Sequence, residues 1–150
     1  MSFIPKDPHF DARVRASFDR QAAMASLGIE IAELGAGTIV LRMGHAPAYT
    51  QQHGFIHAGI IATALDSACG YAAFSLMPDD AAVLTVEFKI NLIAPAAGDV
   101  FLFRAHVLKP GRTISVCDAE AFTVQAGREK LVATMTGTLM AVFGREAIAH

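Results

Sequence analysis

Asp66 is the only charged residue between His57 and Met77. Asp is a poor helix former, and a carboxylate taken out of water without partners is costly, so it acquires partners or shifts its proton affinity. Its neighbours one helical turn away are Ala62, Thr63, Cys69 and Gly70, none of them cationic, so no local ion pair accounts for it. Two readings stand. Asp66 is a structural residue hydrogen-bonded to Thr63, Ser67 or the backbone, or it is a reactive carboxylate. The start of the same segment bears on the choice. His57-Ala58-Gly59 follows Gln51-Gln52-His53-Gly54, and a helix start there presents unpaired N–H groups and a partial positive charge. Such a site binds a carbonyl oxygen as it becomes an oxyanion. Ala58 and Gly59 are small enough for a substrate carbonyl to approach that backbone closely. A carboxylate together with an oxyanion site is what hydrolysis of an acyl group needs.

Spacing adds a constraint. His57 and Asp66 are nine positions apart, which at ~1.5 Å rise per residue separates them by about 13 Å along the axis. One copy of the helix does not bring Asp66 to its own N-terminus. If the two features act together, Asp66 of one subunit faces the helix start of another, and a two-fold dimer satisfies this twice.

The elements that must hold these groups read as α+β. His57–Met77 is apolar nearly all round, predicting a long central helix over about 57–77, buried on every side and ended by Pro78-Asp79-Asp80. Phe10, Val14, Phe18, Ala22 and Ala25 predict an amphipathic N-terminal helix over about 10–26. Segments 27–34 and 37–43 flank a Gly35-Ala36-Gly37 turn, and 46–56 reads as an irregular loop. In 83–93, Leu84, Val86, Phe88, Ile90 and Leu92 alternate with Thr85, Glu87, Lys89 and Asn91, placing Thr85 on the polar face. Runs 99–108, 113–126 and 129–143 follow across short turns, which predicts an antiparallel meander. The expectation is five or six antiparallel strands around one helix, in a single domain over 1–150.

Composition excludes several functions. Hydrophobic residues make up 53% of the 150 and charged ones 17%, with a net charge of −2 and a pI near 6.3. No basic, aromatic-interleaved patch suggests nucleic acid, and the apolar surplus agrees with self-association. The start lacks an apolar signal core, and no run reaches the roughly 18 uncharged apolar residues of a membrane span, so a cytoplasmic, membrane-free protein is expected. Cys69 and Cys117 lack metal-ligand spacing and read as buried reduced thiols. His45, His53 and His57 are too loosely placed to form a metal site.

Residues His57–Ala68 (HAGIIATALDSA) resemble the HGG…D signature of hotdog-fold thioesterases of the phenylacetic-acid-degradation type. Leu84–Phe88 followed by Leu92–Ala96 resembles their next strand, and Val107–Thr113 (VLKPGRT) looks like the following turn, so the likeness runs from about 27 to 143. The resemblance implies a hotdog fold, a homodimer or dimer of dimers, and hydrolysis of acyl-CoA with no metal and no cofactor, CoA being part of the substrate. It makes Asp66 the nucleophile or the base that activates water. It makes the Ala58 N–H the group that polarises the thioester carbonyl from the neighbouring subunit, and Thr85 a holder of the attacking water. The chain has Ala58 where that family usually has Gly, which keeps the backbone N–H, and Gln51 where it usually has Asn, one methylene longer.

Lesser candidates carry plainer alternatives. His57 either fixes the loop by a hydrogen bond or contacts the thioester. Gly59 lets substrate approach. Gly111-Arg112 either binds a CoA phosphate or is a solvated turn. The same fold also serves enoyl-CoA hydratases, which place a His five residues after the Asp, where this chain has Tyr71. A non-catalytic acyl-thioester binding module is the reading from another class, and it has no need of a buried carboxylate.

Overall fold

The computed structural model describes residues 2–148. A six-stranded antiparallel sheet wraps one long helix. The elements are α1 (Phe10–Asp19), α2 (Ala22–Ser26), β1 (Glu30–Gly35), β2 (Thr38–Gly44), α3 (Ala58–Phe74), β3 (Ala82–Leu92), β4 (Val100–Lys109), β5 (Ile114–Gln125) and β6 (Arg128–Val142). The strand order is β1-β2-β4-β5-β6-β3, so β1 and β3 form the edges.

The helix packs against the sheet through small residues. Ala64, Ala68, Cys69 and Ala72 on α3 are buried with Phe101 and Phe103 of β4, Cys117, Ala119 and Ala121 of β5, and Met135 and Leu139 of β6. A Cβ at Gly137 would touch Cys69, at 3.4 Å from its Cβ, so α3 lies close upon β6. Expectation and structure differ at the ends of this helix. The regular helix stops at Phe74, and Leu76 N–H and Met77 N–H donate to the carbonyls of Ala73 and Phe74, three residues back, before Pro78. Such tightening uses up orphan carbonyls of a last turn.

Arg13 finishes that end. Its Nη2 donates to Phe74 O at 3.2 Å and Met77 O at 2.8 Å, its Nε to Asp7 Oδ2 at 2.7 Å, and its guanidinium lies 4.2 Å over the Phe74 ring. Asp7 is itself buried, and the His9 N–H and Arg13 hold its carboxyl below the usual Asp range. Removal of Arg13 orphans the Met77 carbonyl and leaves the buried Asp7 carboxylate without its cation, so Arg13→Ala is expected to destabilise the fold by ~2–4 kcal/mol, lowering Tm by roughly 5–15 °C. Because the folded-state pKa of Asp7 is depressed, the pair's stabilisation is present above the ordinary carboxylate pKa and lost as pH falls through the lowered one. Calorimetry near neutrality and in acid checks both: the gap between variant and wild type should shrink in acid.

Four other expectations are corrected. The N-terminal helix is broken at Arg20-Gln21, where Gln21 turns extended with φ −81° and ψ 94°, which periodicity alone does not register. Strand β3 does not neighbour β4: it pairs with β6, while β4 lies between β2 and β5. Residues 93–99 return the chain at the same end of the sheet, where three strand spacings are only about 14 Å, within reach of seven residues. The alternation of β3 is interrupted by a bulge between Thr85 and Glu87, so Val86 has no partner and Thr85 pairs with the buried Leu139 on the inner face. Finally, α3 is not buried on every side. Gly59, Ala62, Thr63, Asp66 and Gly70, at helical spacing, form one stripe left partly open, and Asp66 lies on it.

Candidate active site

The open stripe of α3 faces the inner side of β3, and there the bulge aims Thr85 at Asp66. Thr85 Oγ1 donates to Asp66 Oδ1 at 2.8 Å. Thr63 and Ser67 are engaged elsewhere: the Thr63 hydroxyl donates to Gly59 O at 2.8 Å, and the Ser67 hydroxyl to Gln21 Oε1 at 3.2 Å. Asp66 and Thr85 line a small cavity of about 100 Å³ with Gln21, Ser67, Gly70 and Tyr71. Gln21 was not singled out from the sequence, and its only signal there is a polar residue where the helical pattern continues. Tyr71, five positions past Asp66, is buried with its hydroxyl 3.3 Å from Ser17 Oγ, and burial raises its phenol pKa. It is not placed to do the work of a hydratase His.

The helix start forms a second centre. His57 is the N-cap, and its Nδ1 accepts from Gly59 N–H at 2.8 Å, the service Ser or Asp usually performs. Nε2 therefore carries the ring proton. Ile60 N–H and Ile61 N–H both donate to His57 O, at 2.9 and 3.2 Å. Of the first amides, Ala58 N–H alone is left with no acceptor among the described residues. His57 thus caps the helix with one ring nitrogen and leaves Ala58 as the free donor of that turn. Gly59 suits this cap, since a Cβ there would sit a tight 3.1 Å from His57 Nδ1.

Gln51 stands beside it. Its Oε1 accepts from His53 N–H at 2.5 Å and Phe55 N–H at 3.4 Å, which closes the 51–55 turn and leaves the amide nitrogen as its free donor. Gln51, His57, Ala58 and Ile61 line a cavity of about 480 Å³ with Phe55 and the strap Leu92–Ala96. The strap is tied in by Ile56 N–H to Ala96 O at 3.0 Å.

Within one chain these two centres remain apart. Ala58 opens α3 and Asp66 lies eight residues on, ~12 Å along the axis, and the two line different cavities. Gly111 and Arg112 lie at neither. They border a third cavity of about 190 Å³ by Phe3, Lys6 and Leu76 near the C-terminal end of α3. Gly111 has a structural reason of its own, because a Cβ would stand 1.8 Å from Ile114 O. Among the described residues, no three His, Cys, Asp or Glu side chains come together to hold a metal ion. No helix is long and apolar enough to cross a membrane.

Comparison with known proteins bears on the family and the fold. Residues 53–130, from the loop before α3 into β6, match the thioesterase superfamily. The chain is 57% identical to a thioesterase family protein of Silicibacter pomeroyi, whose crystal structure superposes with a TM-score of 0.89 over 90% of this chain and 99% of that one. A conserved protein of Pseudomonas aeruginosa is 30% identical, with a TM-score of 0.74 over 81% of this chain and 94% of that one. The PaaI protein of the E. coli phenylacetic acid degradation operon is 26% identical, with a TM-score of 0.80 over 90% of this chain and 94% of that one. With a helix wrapped by an antiparallel sheet and a carboxylate on that helix's open stripe, the chain belongs to the thioesterase superfamily and has its hotdog fold.

Proposed function

We propose that the protein hydrolyses acyl-CoA thioesters to the free acid and CoA, at a site completed by two copies of the chain. One observation carries this reading: among the described residues Asp66 accepts from one hydroxyl, that of Thr85, on a partly open stripe of α3 and beside a cavity. A thioesterase needs one oxygen oriented and the other available.

In the proposed step, Asp66 removes a proton from water as the water oxygen bonds to the thioester carbonyl carbon. The carbonyl electron pair moves onto oxygen, where the N–H of Ala58 of the partner subunit stabilises it, with the Gln51 amide nitrogen as a second donor. The C–S bond then breaks, the sulfur leaves as CoA thiolate, and the proton on Asp66 passes to it. Thr85 keeps Asp66 aimed at the water. Gly111 holds its turn so that Arg112 offers its guanidinium to a CoA phosphate. No step calls on a metal ion or cofactor.

The edge of β3 supports the shared site. β3 is an eleven-residue strand paired with β6 on one side only, with Leu84, Val86, Phe88 and Leu92 exposed, Val86 by 54% and Leu92 by 56%. A long apolar edge is a template for pairing with a second chain. Pairing two such edges covers these side chains and lays the open stripes of two α3 helices together, and two such dimers associate further in this reading.

The test is a panel of aryl and straight-chain acyl-CoA and acyl-carrier-protein thioesters, with released thiol read by a chromogenic disulfide. The protein's own thiols should not interfere. Cys69 and Cys117 are buried, burial pushes the Cys117 thiol up to about 12 and Cys69 higher still, and a thiol reacts as its thiolate. Native protein is therefore expected to consume almost no reagent until unfolded, and rapid titration of both thiols in the native state would contradict this burial. Release of CoA supports the proposed function, and a panel with no cleaved member overturns it.

A further inference from the structure

The cavity at Asp66 has features that hydrolysis alone does not require. Gly70 lies one turn past Asp66 on the same open stripe, and a Cβ there would meet nothing within 4 Å. Glycine in a helix interior is less favourable than alanine, and α3 is rich in alanine. No neighbour forbids a side chain at Gly70, so the space it leaves is available to something outside the chain. Gln21 stands across from it. The break between α1 and α2 turns Gln21 onto α3, where its Oε1 takes the Ser67 hydroxyl. Its amide nitrogen has no acceptor among the described residues, although the residue is half-buried and borders the cavity. Tyr71, by contrast, already has its hydroxyl engaged by Ser17.

Resting on the hydrolytic reading above, we infer that this cavity is the acyl pocket, and that Gly70 and Gln21 select its occupant. Gly70 sets the depth, about one helical turn or ~6 Å beyond the reacting carbonyl. Gln21 sets the polarity, offering the N–H of its half-buried amide to an oxygen on the acyl group. The substrate class is a compact acyl group bearing a hydroxyl or carbonyl, and a long unbranched chain has neither the room nor a use for the amide. A site built to hydrogen-bond a substrate oxygen discriminates strongly against the analogue lacking it, because the protein group is then left unpaired.

The experiment measures kcat/KM for acetyl-, butyryl-, 3-hydroxybutyryl- and decanoyl-CoA with wild type, Gly70→Ala and Gln21→Leu, alongside melting temperatures. Wild type is expected to favour 3-hydroxybutyryl over butyryl and decanoyl by ~10-fold or more. Gln21→Leu should erase the preference for the hydroxylated member of the four-carbon pair. Gly70→Ala should raise the melting temperature yet shift the acetyl-to-butyryl ratio toward acetyl by ~10-fold, a combination that a merely structural glycine does not produce. A wild-type preference for decanoyl, or ratios that neither variant moves, overturns the pocket assignment and leaves thioester hydrolysis standing. Failure of wild type to cleave any thioester sinks the hydrolytic reading, and this inference with it.

Discussion

Asp66→Asn is expected to lower kcat for acyl-CoA hydrolysis by ~10²–10⁴-fold, the usual loss when a positioned base is removed. The amide still accepts the Thr85 hydroxyl through its oxygen and matches the carboxylate in shape, so the 2.8 Å contact and the packing of α3 survive. Circular dichroism and Tm should therefore stay close to wild type while turnover falls. KM should change little, because the residue acts on the reacting atoms rather than on the CoA moiety. Normal turnover by a folded Asp66→Asn protein would remove the carboxylate from the chemistry altogether.

The second large effect concerns one backbone hydrogen. Ala58 is the first residue of α3, the position where proline is best tolerated, because its missing N–H has no intrahelical partner there. The preceding residue, His57, has φ −59° and ψ 137°, a conformation that a following proline favours. Ala58→Pro therefore deletes the one free N–H with little disturbance of the helix. Loss of a single oxyanion donor costs ~10²–10³ in kcat, and that loss is expected here with the melting temperature nearly unchanged. Ala58→Gly keeps the N–H and should keep most of the activity. Equal activity in the proline and glycine variants would show that this amide holds no developing charge.

Some of this architecture is written plainly in the sequence, and some is hidden for identifiable reasons. The place of α3 follows from an apolar run closed by Pro78, although its regular turns stop at Phe74, and Asp66 stands out because a single charge interrupts that run. The Ala126-Gly127 turn between β5 and β6 is equally visible, and both of its residues adopt positive φ, 50° and 73°, as a tight hairpin requires. Thr85 shows the opposite case. Leu84, Val86, Phe88, Ile90 and Leu92 keep a period of two straight through the bulge, so parity assigns Thr85 to the outer face when the extra residue at Val86 turns it inward. The pattern stays regular because residues on both sides of this edge are apolar, as suits a strand that a second chain covers. Gln21 is hidden because Phe18 and Ala22 continue a helical spacing across a break of backbone conformation. The role of His57 needed coordinates, since a histidine at a helix start serves as cap or as contact with the same letters.

Everything rests on a carboxylate and an amide that sit on different copies of one helix. Mixing two inactive proteins tests this most directly. Asp66→Asn and Ala58→Pro chains, co-expressed and allowed to pair, form mixed dimers in which one of the two sites combines an intact Asp66 with an intact Ala58 N–H. With random pairing the mixture should recover about a quarter of wild-type hydrolysis, although each variant alone is nearly silent. If activity stays at the level of the separate variants while mass spectrometry shows the mixed dimer present, the two groups do not act across subunits, and the shared site is wrong.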